Sequence, residues 1–345
     1  MKKIFLILAC LAGITTGAMA LSTDVILVHH QGTVTTHTGT NLYALINSDN
    51  VENGDTLFLC EGTFTCYGPI IKMVTIRGTG EKTIIKPSSN TSTYNPNGIL
   101  QLQSKYDTGY NSMDFKAPFL ESLTIDGSLN FSPNYSDIRN LTIRACKFKS
   151  LSVNWDYYSL VNFQIDRCQI TEELKLGRQI SSLIVNNSKI ETLSAENNSS
   201  ANINLVNCNI HSIGSPYFRG GLINCIVDTL AENANANPAF SQCVLINTLV
   251  NASNLNIDQE STTVEHCYVE TLDGELLDGE TQECTLSTEE LLSRGYVGND
   301  GTVVGIYGST TAFTLRPGVP SVASSTVTLD PDKRLLNVKM TLTAK

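Results

Sequence analysis

The sequence predicts an all-β chain built around a right-handed parallel β-helix, a solenoid of stacked strands. Three observations carry this: a repeat of about twenty residues through the middle of the chain, apolar residues spaced by two on either side of a short interruption, and asparagines at that interruption in consecutive repeats.

Aligned on Cys146, Cys168, Ser188, Cys208, Cys225, Cys243 and Cys267, the chain repeats at intervals of 22, 20, 20, 17, 18 and 24 residues. Three residues before each anchor stand Ile143, Ile165, Val185, Leu205, Leu222, Phe240 and Val264. Two residues after it stand Phe148, Ile170, Ile190, Ile210, Val227, Leu245 and Val269. All are apolar, and spacing by two on each side describes two short strands meeting at a sharp bend rather than a helix face. Asn187, Asn207 and Asn224 fall at the bend, where a tight turn calls for the left-handed conformation that asparagine tolerates better than other non-glycine residues. Ala145, Arg167, Gln242 and His266 hold the same place in the other repeats, so those rungs are expected to bend differently. A single rung cannot bury its apolar face alone and must share a core with the rungs above and below. Parallel crossovers turn right-handed in ~98% of cases, which sets the expected hand of the coil.

With its flanking apolar pairs, the asparagine stack resembles that of the pectate-lyase-like family of right-handed parallel β-helices. The segment Gly54–Leu59 followed by Glu61–Phe64 adds a looser likeness in the first rung. The resemblance covers roughly residues 40–285. It implies a solenoid whose relatives often cleave acidic polysaccharides, yet the family's adjacent Asp-Asp pair and Gly-His-Gly are both missing. No catalytic residue is assigned.

Both ends of a solenoid need covers. Asn41–Ile46 reads as a short amphipathic helix over the first rung, and Ser287 to Leu292 carries a capping-box pattern that starts a helical turn. The alternation Val327, Leu329, then Leu336, Val338, Met340 and Leu342, broken at Asp330-Pro331-Asp332, predicts a terminal antiparallel hairpin. This tail, with Gly298 to Gly308, resembles the C-terminal segment of secreted bacterial β-helix proteins. The expected organisation is a signal peptide over 1–20, the β-helix with its N-terminal cap over 21–285, and a C-terminal cap with hairpin over 286–345.

Lys2-Lys3, the apolar run Ile4 to Ile14 and Ala18-Met19-Ala20 form the three parts of a secretory signal peptide, so the expected location is secreted or cell-surface. Cleavage after Ala20 is favoured over lipid attachment at Cys10, which leaves a shorter apolar run than export signals use. Without Lys2 and Lys3 the basic count falls from 23 to 21 against 33 acidic residues, and the net charge from −10 to −12. Such a chain repels phosphate backbones, which excludes nucleic acid as a partner, and no later run is long enough to span a membrane.

Nine cysteines remain after cleavage. The six at anchors (Cys146, Cys168, Cys208, Cys225, Cys243 and Cys267) would stack at the ~4.8 Å strand spacing, wider than the ~3.8 Å Cβ separation of a disulfide, and are expected to be thiols in the core. Cys60 and Cys66, with Glu61-Gly62 as a turn between them, are the disulfide candidates. His29, His30 and His37 sit in a threonine-rich opening strand and read as solvated rather than metal-binding. The acidic segment Asp273 to Glu280 offers oxygen ligands to calcium but lacks the spacing of a calcium loop. Arg144 and Asp166, with Arg167 and Lys147 close by, read as a stacked surface ion pair.

Glycan binding calls for aromatic faces and planar polar groups. Trp155, Asp156, Tyr157 and Tyr158 fall in one loop between rungs, and Tyr94, Tyr106 and Tyr110 lie in an insertion rich in serine and asparagine. The expected function is a non-enzymatic extracellular β-helix that binds a polysaccharide or a surface glycan in the manner of an adhesin, without a cofactor. A polysaccharide lyase or hydrolase with an unfamiliar site is the alternative, and a structural surface component a third.

Overall fold

The computed structural model describes residues 25–87, 98–104, 112–153, 158–196, 202–214, 218–230, 244–251, 257–270, 275–315, 321–330 and 335–343. Residues 1–20, expected to be a signal peptide, lie outside them. The chain is an all-β parallel solenoid of about eight turns. It divides into two units, Met1–Leu315 and Arg316–Lys345.

In the first unit the repeat stacks in register. Thr142–Arg144, Phe163–Asp166, Leu183–Asn186, Ile203–Val206, Gly221–Ile223, Val244–Asn251 and Thr263–Glu270 pair in parallel along one face. Lys147–Val153, Gln169–Leu176, Lys189–Ala195, Asn209–Ile213 and Ile226–Leu230 pair along the next. Inward positions form continuous buried columns. One is Ile143, Ile165, Val185, Leu205, Leu222 and Leu245; a second, beyond the corner, is Phe148, Ile170, Ile190, Ile210, Val227 and Val250.

The corner between these faces is the residue at which the sequence pattern is interrupted. Ser122, Ala145, Arg167, Asn187, Asn207, Asn224, Asn247 and His266 all have φ between 44° and 55°. The outer rungs therefore bend as the asparagine rungs do, contrary to expectation: hydrogen bonding between rungs imposes the left-handed corner even where alanine, arginine or histidine stands there. At six of these eight corners the following residue donates its side chain to the carbonyl two residues back. Cys146 donates to the Arg144 carbonyl (3.2 Å), Cys168 to Asp166 (3.5 Å), Ser188 to Asn186 (2.7 Å), Cys208 to Val206 (3.3 Å), Cys225 to Ile223 (3.4 Å) and Thr248 to Ile246 (3.2 Å).

That last pair corrects the alignment. The rung after Cys225 has its corner at Asn247 and its anchor at Thr248, so Leu245 belongs to the column before the corner and Cys243 is not an anchor; Cys243 itself lies outside the described residues. Alignment on cysteine failed there because the site selects a small hydrogen-bond donor, not sulfur.

At the N-terminal end Val25–His30 and Thr33–Thr38 form a hairpin whose two-residue turn, Gln31-Gly32, has positive φ at both positions. The first of these strands also runs antiparallel to Thr56–Leu59. Helix α1 (Leu42–Ile46) is capped by the Asn41 side chain and buries Leu42 and Ile46. Helix α2 (Thr288–Ser293) has the full capping box of Ser287 and Glu290. In the second unit Ser321–Asp330 and Leu335–Thr343 pair as an antiparallel hairpin.

The expected Cys60–Cys66 disulfide does not form. The extended strand Gly62–Cys66 carries Cys66 about 13 Å beyond the turn, out of bridging range. Cys66 is a buried thiol that donates to the Gly68 carbonyl, and burial pushes its pKa up to about 12. The Cys60 sulfur accepts the Val25 amide at 3.3 Å.

Candidate functional site

Parallel in-register stacking brings each outward position back about every 4.8 Å along the solenoid. Directly before the corner this produces a column of alternating charge, Arg77, Glu121, Arg144 and Asp166, each on the next rung. Arg77 meets Glu121 at 2.6 Å, Arg144 lies 3.8 Å from Glu121 and 3.2 Å from Asp166, and Arg167 reaches Asp166 at 3.1 Å. Arg77 also stands over the Phe58 ring. Sequence reasoning found Arg144, Asp166 and Arg167 but missed Arg77 and Glu121, whose rungs have no cysteine anchor to align. Lys147 sits two positions beyond the corner, in register with Gln169.

Beside this column lies a groove of about 260 Å³. Its floor comes from a second corner of the solenoid, after the strands Ser112–Asp114, Asp137–Arg139 and Leu160–Val161, which pair in parallel. Asn140 and Asn162 occupy that corner with φ of 56° and 55°. Their side chains stack: Asn162 Nδ2 donates to Asn140 Oδ1 at 3.2 Å, and Asn140 Nδ2 donates to Asp114 at 2.6 Å. Hydrogen bonds from Lys116 and Asn140 hold the Asp114 carboxyl below the ordinary aspartate range. Phe115, Lys116, Ala117, Pro118, Thr142, Arg144 and Gln164 complete the groove. It presents planar amides and a guanidinium in a row, the donor and acceptor set that fits vicinal hydroxyls.

Of the predicted ligand-binding residues, Tyr158 is described and is 41% exposed; Trp155, Asp156, Tyr157, Tyr94, Tyr106 and Tyr110 lie outside the described residues. Tyr158 precedes Leu160–Val161, the strand that leads into the corner at Asn162, and Tyr135 precedes Asp137–Arg139 in the neighbouring rung and is 48% exposed. About 13 Å of chain at strand rise therefore separates Tyr158 from the amide stack.

The asparagine corners serve a different purpose. Residues 297–309 run along them: Asn187 Nδ2 donates to the Gly308 carbonyl (3.1 Å), Asn224 Oδ1 accepts the Asn299 amide (3.2 Å), and Asn247 bonds Asn299. Two positions beyond the corner, Asn209 accepts the Ile306 amide and donates to the Gln282 carbonyl. Lys189, almost wholly buried, reaches Thr281 and Glu283. The segment expected to cap the end of the solenoid thus covers its flank, burying Leu276, Leu277, Leu291, Tyr296 and Val304 against Ile226 and Leu249.

Two carboxylate–histidine pairs stand apart from the groove. His30 Nδ1 lies 2.6 Å from Asp55, which is 3% exposed, and this bond raises the histidine pKa. His30 is thus partnered rather than simply solvated. His211 Nδ1 lies 3.3 Å from fully buried Asp228 without forming a hydrogen bond, while Asp228 accepts the Leu276 amide and the Asn251 side chain. In the acidic segment, Asp278 uses its carboxylate on the Thr281 and Glu280 amides. Among the described residues no group of three histidine, cysteine or acidic side chains is arranged to hold a metal ion. No family model, curated protein or solved structure matches the chain.

Proposed function

We propose that this chain works outside the cytoplasm as a non-enzymatic β-solenoid that binds a polysaccharide or surface glycan, in the manner of an adhesin. The observation that carries the reading is the groove in which the stacked Asn140 and Asn162 amides lie beside Arg144, Gln164 and Lys116, one short strand away from the exposed Tyr158. Amides and guanidinium groups bind sugar hydroxyls through paired hydrogen bonds, and tyrosine rings cover the apolar faces of the ring carbons. The carboxylates nearest the groove, Asp114, Glu121 and Asp166, are engaged by Lys116, Arg77, Arg144 and Arg167, which suits fixed recognition better than proton transfer. The signal-peptide pattern read in residues 1–20 supports that location.

The test is a glycan-array screen of the mature chain beside its Arg144→Met and Trp155→Ala variants, run with an oligosaccharide-release assay on acidic polysaccharides. Binding that fails in both variants, with no release, is the expected result. Release of oligosaccharides would replace this reading with a lyase or hydrolase, and silence in both assays would leave a structural surface component.

A further inference from the structure

The two ends of the solenoid are finished differently. At the first rung, helix α1 buries Leu42 and Ile46, and the outermost strand, Thr33–Thr38, is an exposed run of threonines with Val34 and His37. At the last rung, Thr263–Glu270 pairs on one side only, with Val244–Asn251, among the described residues. Its backbone donors and acceptors on the other side form an open strand edge, a template for another strand. Val264 and Val269 continue the inward columns of Leu245 and Val250, which are wholly buried, yet they are 41% and 50% exposed.

We propose that this edge pairs antiparallel with the same strand of a second copy, about a twofold axis that passes between His266 and Cys267, at the corner. Head-to-tail stacking needs an open first rung, and that rung is covered by α1 and the threonine strand. Head-to-head pairing needs a self-complementary strand, and this one has a single register that qualifies. With His266 opposite Cys267 of the second copy, Val264 meets Val269, inward side on inward side, and Glu265 falls opposite Tyr268 rather than another acid. Moving the centre by half a residue either way sets Val264 against Tyr268 or Glu270 and turns core positions toward solvent. The same register sets the two corners side by side across the axis, because His266 has φ of 53° and the strand bends there in both copies. The contact is isologous and closes at two copies, so it covers both ends without growing into a fibre.

Sedimentation velocity of the full chain over a concentration series tests this, beside Val264→Arg/Val269→Arg and with circular dichroism to check folding. The wild type is expected to reach twice the chain mass at tens of micromolar, and the double variant to stay a monomer. Amide hydrogen exchange on the wild type alone is a second readout: the amides of 263–270 should slow as concentration rises. A wild type that stays monomeric, a dimer that survives both arginines, or a dimer whose 263–270 amides exchange as in the monomer would each overturn the proposal. If the double variant does not fold, the exchange measurement decides.

Discussion

Thr248 donates its hydroxyl to the Ile246 carbonyl at 3.2 Å, bridging the left-handed corner at Asn247 just as the cysteine thiols bridge theirs. The same hydroxyl reaches the Leu222 carbonyl of the rung below at 2.9 Å. Replacing it with cysteine keeps a donor of similar size, so Thr248→Cys is expected to change unfolding free energy by less than about 1 kcal/mol. Thr248→Leu loses the donor and overfills a wholly buried site, and should cost about 2–4 kcal/mol in urea titrations.

This rung also shows what was legible in the sequence. The period, the inward columns and three of the four asparagine corners follow from spacing alone, because burial repeats wherever the chain completes a turn. The fourth, Asn247, was hidden by Cys243, since residue identity stood in for the hydrogen bond that the anchor makes. The groove was harder still. Asn140 and Asn162 become neighbours only through stacking of a second corner whose strands are two or three residues long, too short to show a period.

Gly305 passes so close to Asn209 that a Cβ would stand 2.5 Å from the amide oxygen, and its φ is +83°. Gly301, at φ +77°, has nothing within 4 Å of the same point. Alanine at Gly301 therefore meets only the backbone cost of a left-handed residue, about 1–2 kcal/mol. Alanine at Gly305 adds the clash and is expected to cost about 1–3 kcal/mol more. Proteolysis should show the 297–309 segment released in Gly305→Ala and retained in Gly301→Ala.

Arg144 holds a partly exposed place between Glu121 and Asp166. Partly exposed ion pairs contribute about 0–1 kcal/mol each, and salt screens them, so Arg144→Met should lower stability by no more than about 1 kcal/mol, and by less in high salt. Its effect on glycan binding should be far larger, because the guanidinium lines the groove. A fall in binding that merely tracks the change in melting temperature would remove Arg144 from the site.

Burial pushes the Cys146 and Cys208 thiols well above their ordinary range, Cys168 up to about 12 and Cys267 to about 11, and raises Cys284 too, but Cys267 and Cys284 are only half-buried and so reachable by reagent. Thiolate is the reactive form. Mass-spectrometric mapping of iodoacetamide labelling near neutral pH should find Cys267 and Cys284 modified first and the three ladder thiols only in denaturant.

His30 links the N-terminal hairpin to Asp55 in the first rung through a 2.6 Å contact, with Glu52 at 3.8 Å. The hydrogen bond to Asp55 raises the histidine pKa above its ordinary 6.5. A group whose folded pKa is raised contributes its full stabilisation below the unfolded value and loses it as pH rises through the folded one. The wild type should therefore exceed His30→Gln in melting temperature most clearly below pH 6.5, with the gap narrowing as pH rises past the raised value. Asp55→Asn should remove the pH dependence of that gap, and should also cost stability at every pH because its carboxylate accepts the Glu52 amide at 2.7 Å. A gap that widens with pH would mean that neutral His30, not its cation, is the form the fold prefers.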